Sequence, residues 1–83
     1  MNLGEDLIRK LSKLFAPSST VQFRYRGKDV SVQTDEEGHA IKMFIGKLKD
    51  DGMVSGDRYA RVLVRDRNGA FIKDHWDRKG RAT

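Results

Sequence analysis

From Val21 onward apolar and polar residues alternate at period two, and four clusters of turn-forming residues cut that alternation into five short runs. The turn signals fall at Gly27-Lys28, Asp35 to Gly38, Lys49 to Gly52 and Arg67 to Gly69. This spacing predicts five strands following one another in a mostly antiparallel meander. It constrains the fold more than any other feature of the chain.

Register follows from matching faces, because a slip of one residue turns an apolar set toward water. With Gly27-Lys28 as a two-residue turn, Tyr25 faces Val30, Phe23 faces Val32 and Val21 faces Thr34. A four-residue loop, Asp35 to Gly38, then sets Ile41 against Val32 and Met43 against Val30. Ile45 joins the same core, and Phe44 projects from the opposite side. In the last hairpin a two-residue Asn68-Gly69 turn sets Val64 against Lys73 and Val62 against His75, which mixes the faces. A three-residue Arg67-Asn68-Gly69 loop with Gly69 left-handed pairs Val64 with Ile72 and Ala60 with Trp76, and is preferred. Trp76 then belongs to the core with Ala60, Val62, Val64 and Ile72. Asp74 is at odds with that face.

Before the strands, Leu3, Leu7, Leu11 and Leu14 recur at helical spacing with Ile8 and Phe15 beside them. Glu5 and Asp6 near the start and Arg9, Lys10 and Lys13 toward the end complement the helix dipole. Asn2 is the expected N-cap, with Glu5 completing a capping box, and Pro17 closes the segment. The expected fold class is therefore α+β: an N-terminal amphipathic helix packed on a curved, mostly antiparallel five-stranded meander. Gly46 and Gly56 inside strand patterns mark bends. Strong curling there makes a half-open small barrel and weak curling a flat sheet, and both remain open.

A chain of 83 residues supports one modest core. Residues 1–77 are expected to form a single compact domain, with 78–83 a frayed basic tail. Absence of cysteine excludes a disulfide framework and thiol chemistry, which suits a cytoplasmic setting, bacterial or otherwise. No secretory signal pattern and no apolar run of membrane-spanning length is present, so no membrane is expected as a partner.

The net charge of +5 is unevenly placed: residues 1–40 carry six Lys/Arg and six Asp/Glu, whereas residues 41–83 carry eleven Lys/Arg and six Asp. Such asymmetry suits a polyanionic partner, although aspartates interrupt every basic run. Within the last hairpin, Arg61, Arg65 and Lys73 offer phosphate contacts, while Tyr59, Phe71 and His75 offer rings on which unpaired bases stack. Lys42, Lys47, Arg58, Arg78, Lys79 and Arg81 extend this set. The competing assignment is structural: Tyr59, Leu63 and Phe71 lie under the helix or in a dimer interface, with long basic chains snorkelling around them.

The chemistry that the sequence excludes is as informative. There is no nucleophile elbow, no glycine-rich phosphate loop, no zinc-ligand spacing and no EF-hand pattern, so neither a metal nor a cofactor is expected. The histidines are His39, beside a turn, and His75, in "KDHWD". A metal-free ribonuclease built on His75 is the least favoured reading. The leading expectation is a small non-catalytic basic binding module for single-stranded RNA or DNA. The main alternative is a protein-interaction or homodimerisation module that uses an exposed sheet edge.

Overall fold

The computed structural model describes residues 4–82. Helix α1 is Glu5–Leu11, followed by β1 Thr20–Tyr25, β2 Lys28–Thr34, β3 Ala40–Leu48, β4 Val54–Arg65 and β5 Phe71–Ala82. The strands form one sheet in chain order, antiparallel at every pairing. β1 and β5 are its two edges, so the sheet is open rather than closed into a barrel. No helix among the described residues is long and apolar enough to cross a membrane.

The helix is shorter than its leucine spacing predicts. Asn2 and Leu3 lie outside the described residues, and Gly4 occupies the N-cap position. Ser12 ends the helix with its amide and its hydroxyl both on the Ile8 carbonyl. Leu14 is 67% exposed, and the amide of Phe15 is bonded to the Gly38 carbonyl at 2.8 Å. That bond draws the chain away to the β2–β3 loop, so the last predicted turn is replaced by a tertiary tie. Leu7 and Leu11 are fully buried in one cluster with Val30, Val32, Met43 and Tyr59, which defines the inner face of the sheet.

The first hairpin keeps its expected faces with a different register, whereas the last reverses those of β4: Tyr59 and Arg61 point inward, and Val62 and Val64, expected in the core, point outward. The first turn is Arg26-Gly27, with φ of 50° and 81°, so that Phe23 pairs with Val30 and Val21 with Val32. Two consecutive left-handed residues are what a tight two-residue hairpin turn requires, and Gly27 takes the second of them as in the preferred Asn-Gly and Asp-Gly turns. Because the difference is two residues, Val21, Phe23 and Tyr25 still face inward. In the second hairpin Val32 pairs with Met43 and Val30 with Ile45, while a bulge at Ile41 brings Ala40 opposite Thr34. Ala40 is therefore buried where Ile41 was expected.

Gly46 and Gly56 stand directly opposite each other. A Cβ on either would fall on the backbone of the other strand, on the Ser55 or the Ile45 carbonyl. This close approach is where the end of the β3–β4 hairpin leans over the outer face of β1 and β2. There Gln22 donates to the Gly52 carbonyl at 2.9 Å, and the Leu48 amide donates to Asp29 at 2.8 Å.

The last hairpin departs furthest from expectation. Its loop is the three-residue Arg67-Asn68-Gly69, closed by the Asp66 amide on the Ala70 carbonyl, with Gly69 at φ 85°. Arg65 pairs with Phe71 as that loop dictates, but a bulge at Ile72 then shifts the register by one. Val64 consequently faces Lys73, Val62 faces His75 and Arg61 faces Trp76. The expected pairs Val64–Ile72 and Ala60–Trp76 do not form. Beyond the bulge Asp74 and Trp76 turn inward, which resolves the conflict that Asp74 posed. Residues 78–82 are paired strand, with Arg78 opposite Tyr59 and Arg81 opposite Asp57, where a frayed tail was expected.

Candidate nucleic-acid interface

The bulge at Ile72 divides the six predicted contact residues between two surfaces. Tyr59, Arg61, Arg65 and Phe71 fall on the inner side, while Lys73 and His75, opposite Val64 and Val62, fall on the outer face. No single strip of the sheet presents all six.

On the inner side, Tyr59 is 2% exposed and belongs to the core, so its ring is not a stacking platform. Among the described residues its hydroxyl has no hydrogen-bond partner. Burial, reinforced by the nearby Asp57 charge and opposed by Arg78, raises the phenol's pKa. Arg61 is also committed to the fold. Its side chain is 5% exposed and forms two hydrogen bonds of 2.7 Å with the Asp74 carboxylate. A further nitrogen donates at 3.3 Å to the carbonyls of Leu11 and Ala40. One guanidinium thus joins the end of α1, the start of β3 and the middle of β5. Its hydrogen bonds hold the Asp74 carboxyl below the ordinary carboxylate range, against the opposing effect of burial.

Arg65 and Phe71 sit further toward the hairpin tip, where β4 has only β5 beside it. A two-stranded ribbon is marginal on its own, and contacts with the β2–β3 loop support this one. Arg65 pairs with Glu37 at 2.6 Å and lies over the Phe71 ring at 4.6 Å, while His39 meets the same ring edge-on at 5.3 Å. Asp35 in turn organises that loop by accepting the amides of Glu37 and His39, each at 2.9 Å.

The outer face is different in kind. Phe44, between Ser31 and Arg58 in the ladder, projects from it next to Lys42, and Lys73 and His75 continue the same face along β5. Lys42, Arg58 and Lys73 have no carboxylate within ion-pair distance among the described residues, whereas Arg24, Arg26, Arg61, Arg65 and Arg78 all do. His75 lies 3.3 Å from Asp77, and Val64 and Ile72 are exposed beside it. Phe44 is the residue that the charge-led reading of the last hairpin passed over. Its signal was its parity, opposite to that of Met43 and Ile45. The surface therefore combines cations without a carboxylate partner, flat rings and apolar groups. Among the described residues no three His, Asp or Glu side chains converge in a metal-binding arrangement. Set beside known proteins, the chain matches no family model, no curated protein and no solved structure.

Proposed function

We propose that the domain is a non-catalytic binding module that takes single-stranded RNA or DNA on the outer face of its sheet. The observation that supports this reading best is the presence of three carboxylate-free cations, Lys42, Arg58 and Lys73, around Phe44 and His75 on the face opposite α1. Lysine and arginine without a carboxylate partner release counterions when they meet phosphates, and an aromatic stack under a base contributes about 1–3 kcal/mol. A cytoplasmic location goes with this role. Of the six residues singled out from sequence, Lys73 and His75 contribute directly. Arg65 and Phe71 border the site at the hairpin tip, and Tyr59 and Arg61 act by holding the strands in register.

The test is a fluorescence-anisotropy titration of labelled single- and double-stranded oligonucleotides at two salt concentrations, with a gel of the same mixtures. Preferential, salt-sensitive binding of single strands is expected, lost in a Lys42→Ala/Arg58→Ala/Lys73→Ala variant and left uncut on the gel. No binding at low salt overturns the reading, and cleavage would transfer the proposal to the His75–Asp77 pair.

A second reading, homodimerisation or capture of a protein segment, draws on β5. It is a 12-residue edge strand, and Val64 of β4 and Phe71 and Ile72 of β5 are exposed at the tip of the last hairpin. Sedimentation that shows a concentration-dependent dimer favours it.

A further inference from the structure

The inner face carries a second group of cations that the outer-face reading does not use. Near the Gly46–Gly56 pair, Lys28 from β2, Lys47 from β3 and Arg81 from β5 line one groove of about 410 Å³. None of the three has a carboxylate within ion-pair distance among the described residues. The one carboxylate in the groove wall, Asp57, is engaged by Arg78 at 2.9 Å. Three cations thus line the groove against a single acid, whose hydrogen-bonded partner is Arg78. Each comes from a strand position fixed by register rather than from a loop.

We propose that this groove is a binding site for a compact, multiply charged phosphate anion of the diphosphate class. Like charges held close together in the free protein repel one another, and an anion bearing several negative oxygens removes that repulsion. The mixture of groups suits phosphate chemistry: arginine supplies a planar donor fork, and the two lysines supply mobile point charges. A monovalent anion leaves most of the charge uncompensated, and an extended apolar ligand finds few partners. Asp57 is hydrogen-bonded to Arg78 and also lies within electrostatic reach of Arg81 and Lys28, so it offsets one of the groove's positive charges and leaves the excess for a ligand. This site lies on the opposite face from the proposed nucleic-acid surface and stands or falls separately from it.

The test is an NMR titration of the ¹⁵N-labelled chain with inorganic pyrophosphate at low ionic strength, with sulfate added to the same ionic strength as the control. Saturable shifts confined to Lys28, Gly46, Lys47, Gly56 and Arg81 are expected, with sulfate bound much more weakly. Lys28→Ala plus Lys47→Ala should weaken pyrophosphate roughly tenfold or more, as loss of charge-assisted hydrogen bonds implies. Lys42→Ala plus Lys73→Ala should leave it unchanged. Should the double variant lose its dispersed spectrum, Lys47→Gln and Arg81→Gln singly serve the same purpose. Absence of saturable shifts, undiminished binding in the groove variants, or equal binding of sulfate overturns the proposal.

Discussion

Arg61 and Asp74 meet in two parallel hydrogen bonds of 2.7 Å across the last hairpin, and they do so only because the bulge at Ile72 shifts β5 by one residue. Without that shift Asp74 would project with Val62 and Val64 on the outer face. The pair ties the protruding ribbon to α1 and β3 through the Leu11 and Ala40 carbonyls. Replacing Arg61 with alanine therefore removes four hydrogen bonds at once from a nearly buried guanidinium. The expected loss is about 2–4 kcal/mol, read from urea denaturation. Arg61→Lys should recover only part of it, because an ammonium cannot reproduce the planar fork. A loss below about 0.5 kcal/mol would place the pair with ordinary surface ion pairs.

Acid should destabilise the fold in a way that these pairs predict. Asp74, held by Arg61, Asp57, held by Arg78, and Asp6, held by the Tyr25 hydroxyl and Arg26, all have carboxyl pKa values lowered in the folded chain. A depressed folded-state pKa means that the unfolded chain binds the proton first on acidification. Their stabilisation is complete above the ordinary carboxylate value of roughly 4 and is lost as pH falls through the lowered values. Thermal unfolding as a function of pH should show this fall. Asp74→Asn should begin less stable at neutral pH and lose less on acidification. A parallel curve for the variant would mean that Asp74 takes no part.

The Tyr59 hydroxyl makes the opposite prediction. It is buried with no hydrogen-bond partner among the described residues, so its desolvation goes uncompensated there. Tyr59→Phe keeps the ring in its place among the core side chains and removes the unsatisfied oxygen. Stability should be unchanged or rise by up to about 1 kcal/mol, whereas Tyr59→Ala should lose about 3–5 kcal/mol through the cavity it leaves. A marked loss in the phenylalanine variant would reveal an ordered water or other partner for the hydroxyl.

The faces of the first hairpin were legible because Val21, Phe23 and Tyr25 alternate without interruption, and a difference of two residues in register leaves that alternation intact. The bulges at Ile41 and Ile72 were not, since one inserted residue leaves no mark on the composition of a strand. Only its consequence was visible: Asp74 stood on an apolar face, a conflict that a shift of one residue removes. The same shift separates Lys73 and His75 from Arg61 and Phe71, so one unseen bulge divided the whole candidate site. The curl of the β3–β4 end was signalled by Gly46 and Gly56. What the sequence withheld was that these two glycines face each other.

That opposition yields the sharpest prediction about the backbone. A Cβ at Gly46 would fall on the Ser55 carbonyl, and one at Gly56 on the Ile45 carbonyl, both main-chain atoms that no side-chain rotation can move aside. Gly46→Ala and Gly56→Ala should each cost about 1–3 kcal/mol or more, as overpacking against rigid neighbours does. Gly52→Ala is the appropriate control, because Gly52 has φ 84° with open space around it. It should lose only about 1 kcal/mol, from the conformational preference alone. Since the curl also carries the contacts of Gln22 with Gly52 and of Leu48 with Asp29, amide exchange at Leu48 should accelerate in the Gly46 and Gly56 variants more than in the control. Equal exchange in all three would separate the glycine pair from the curl.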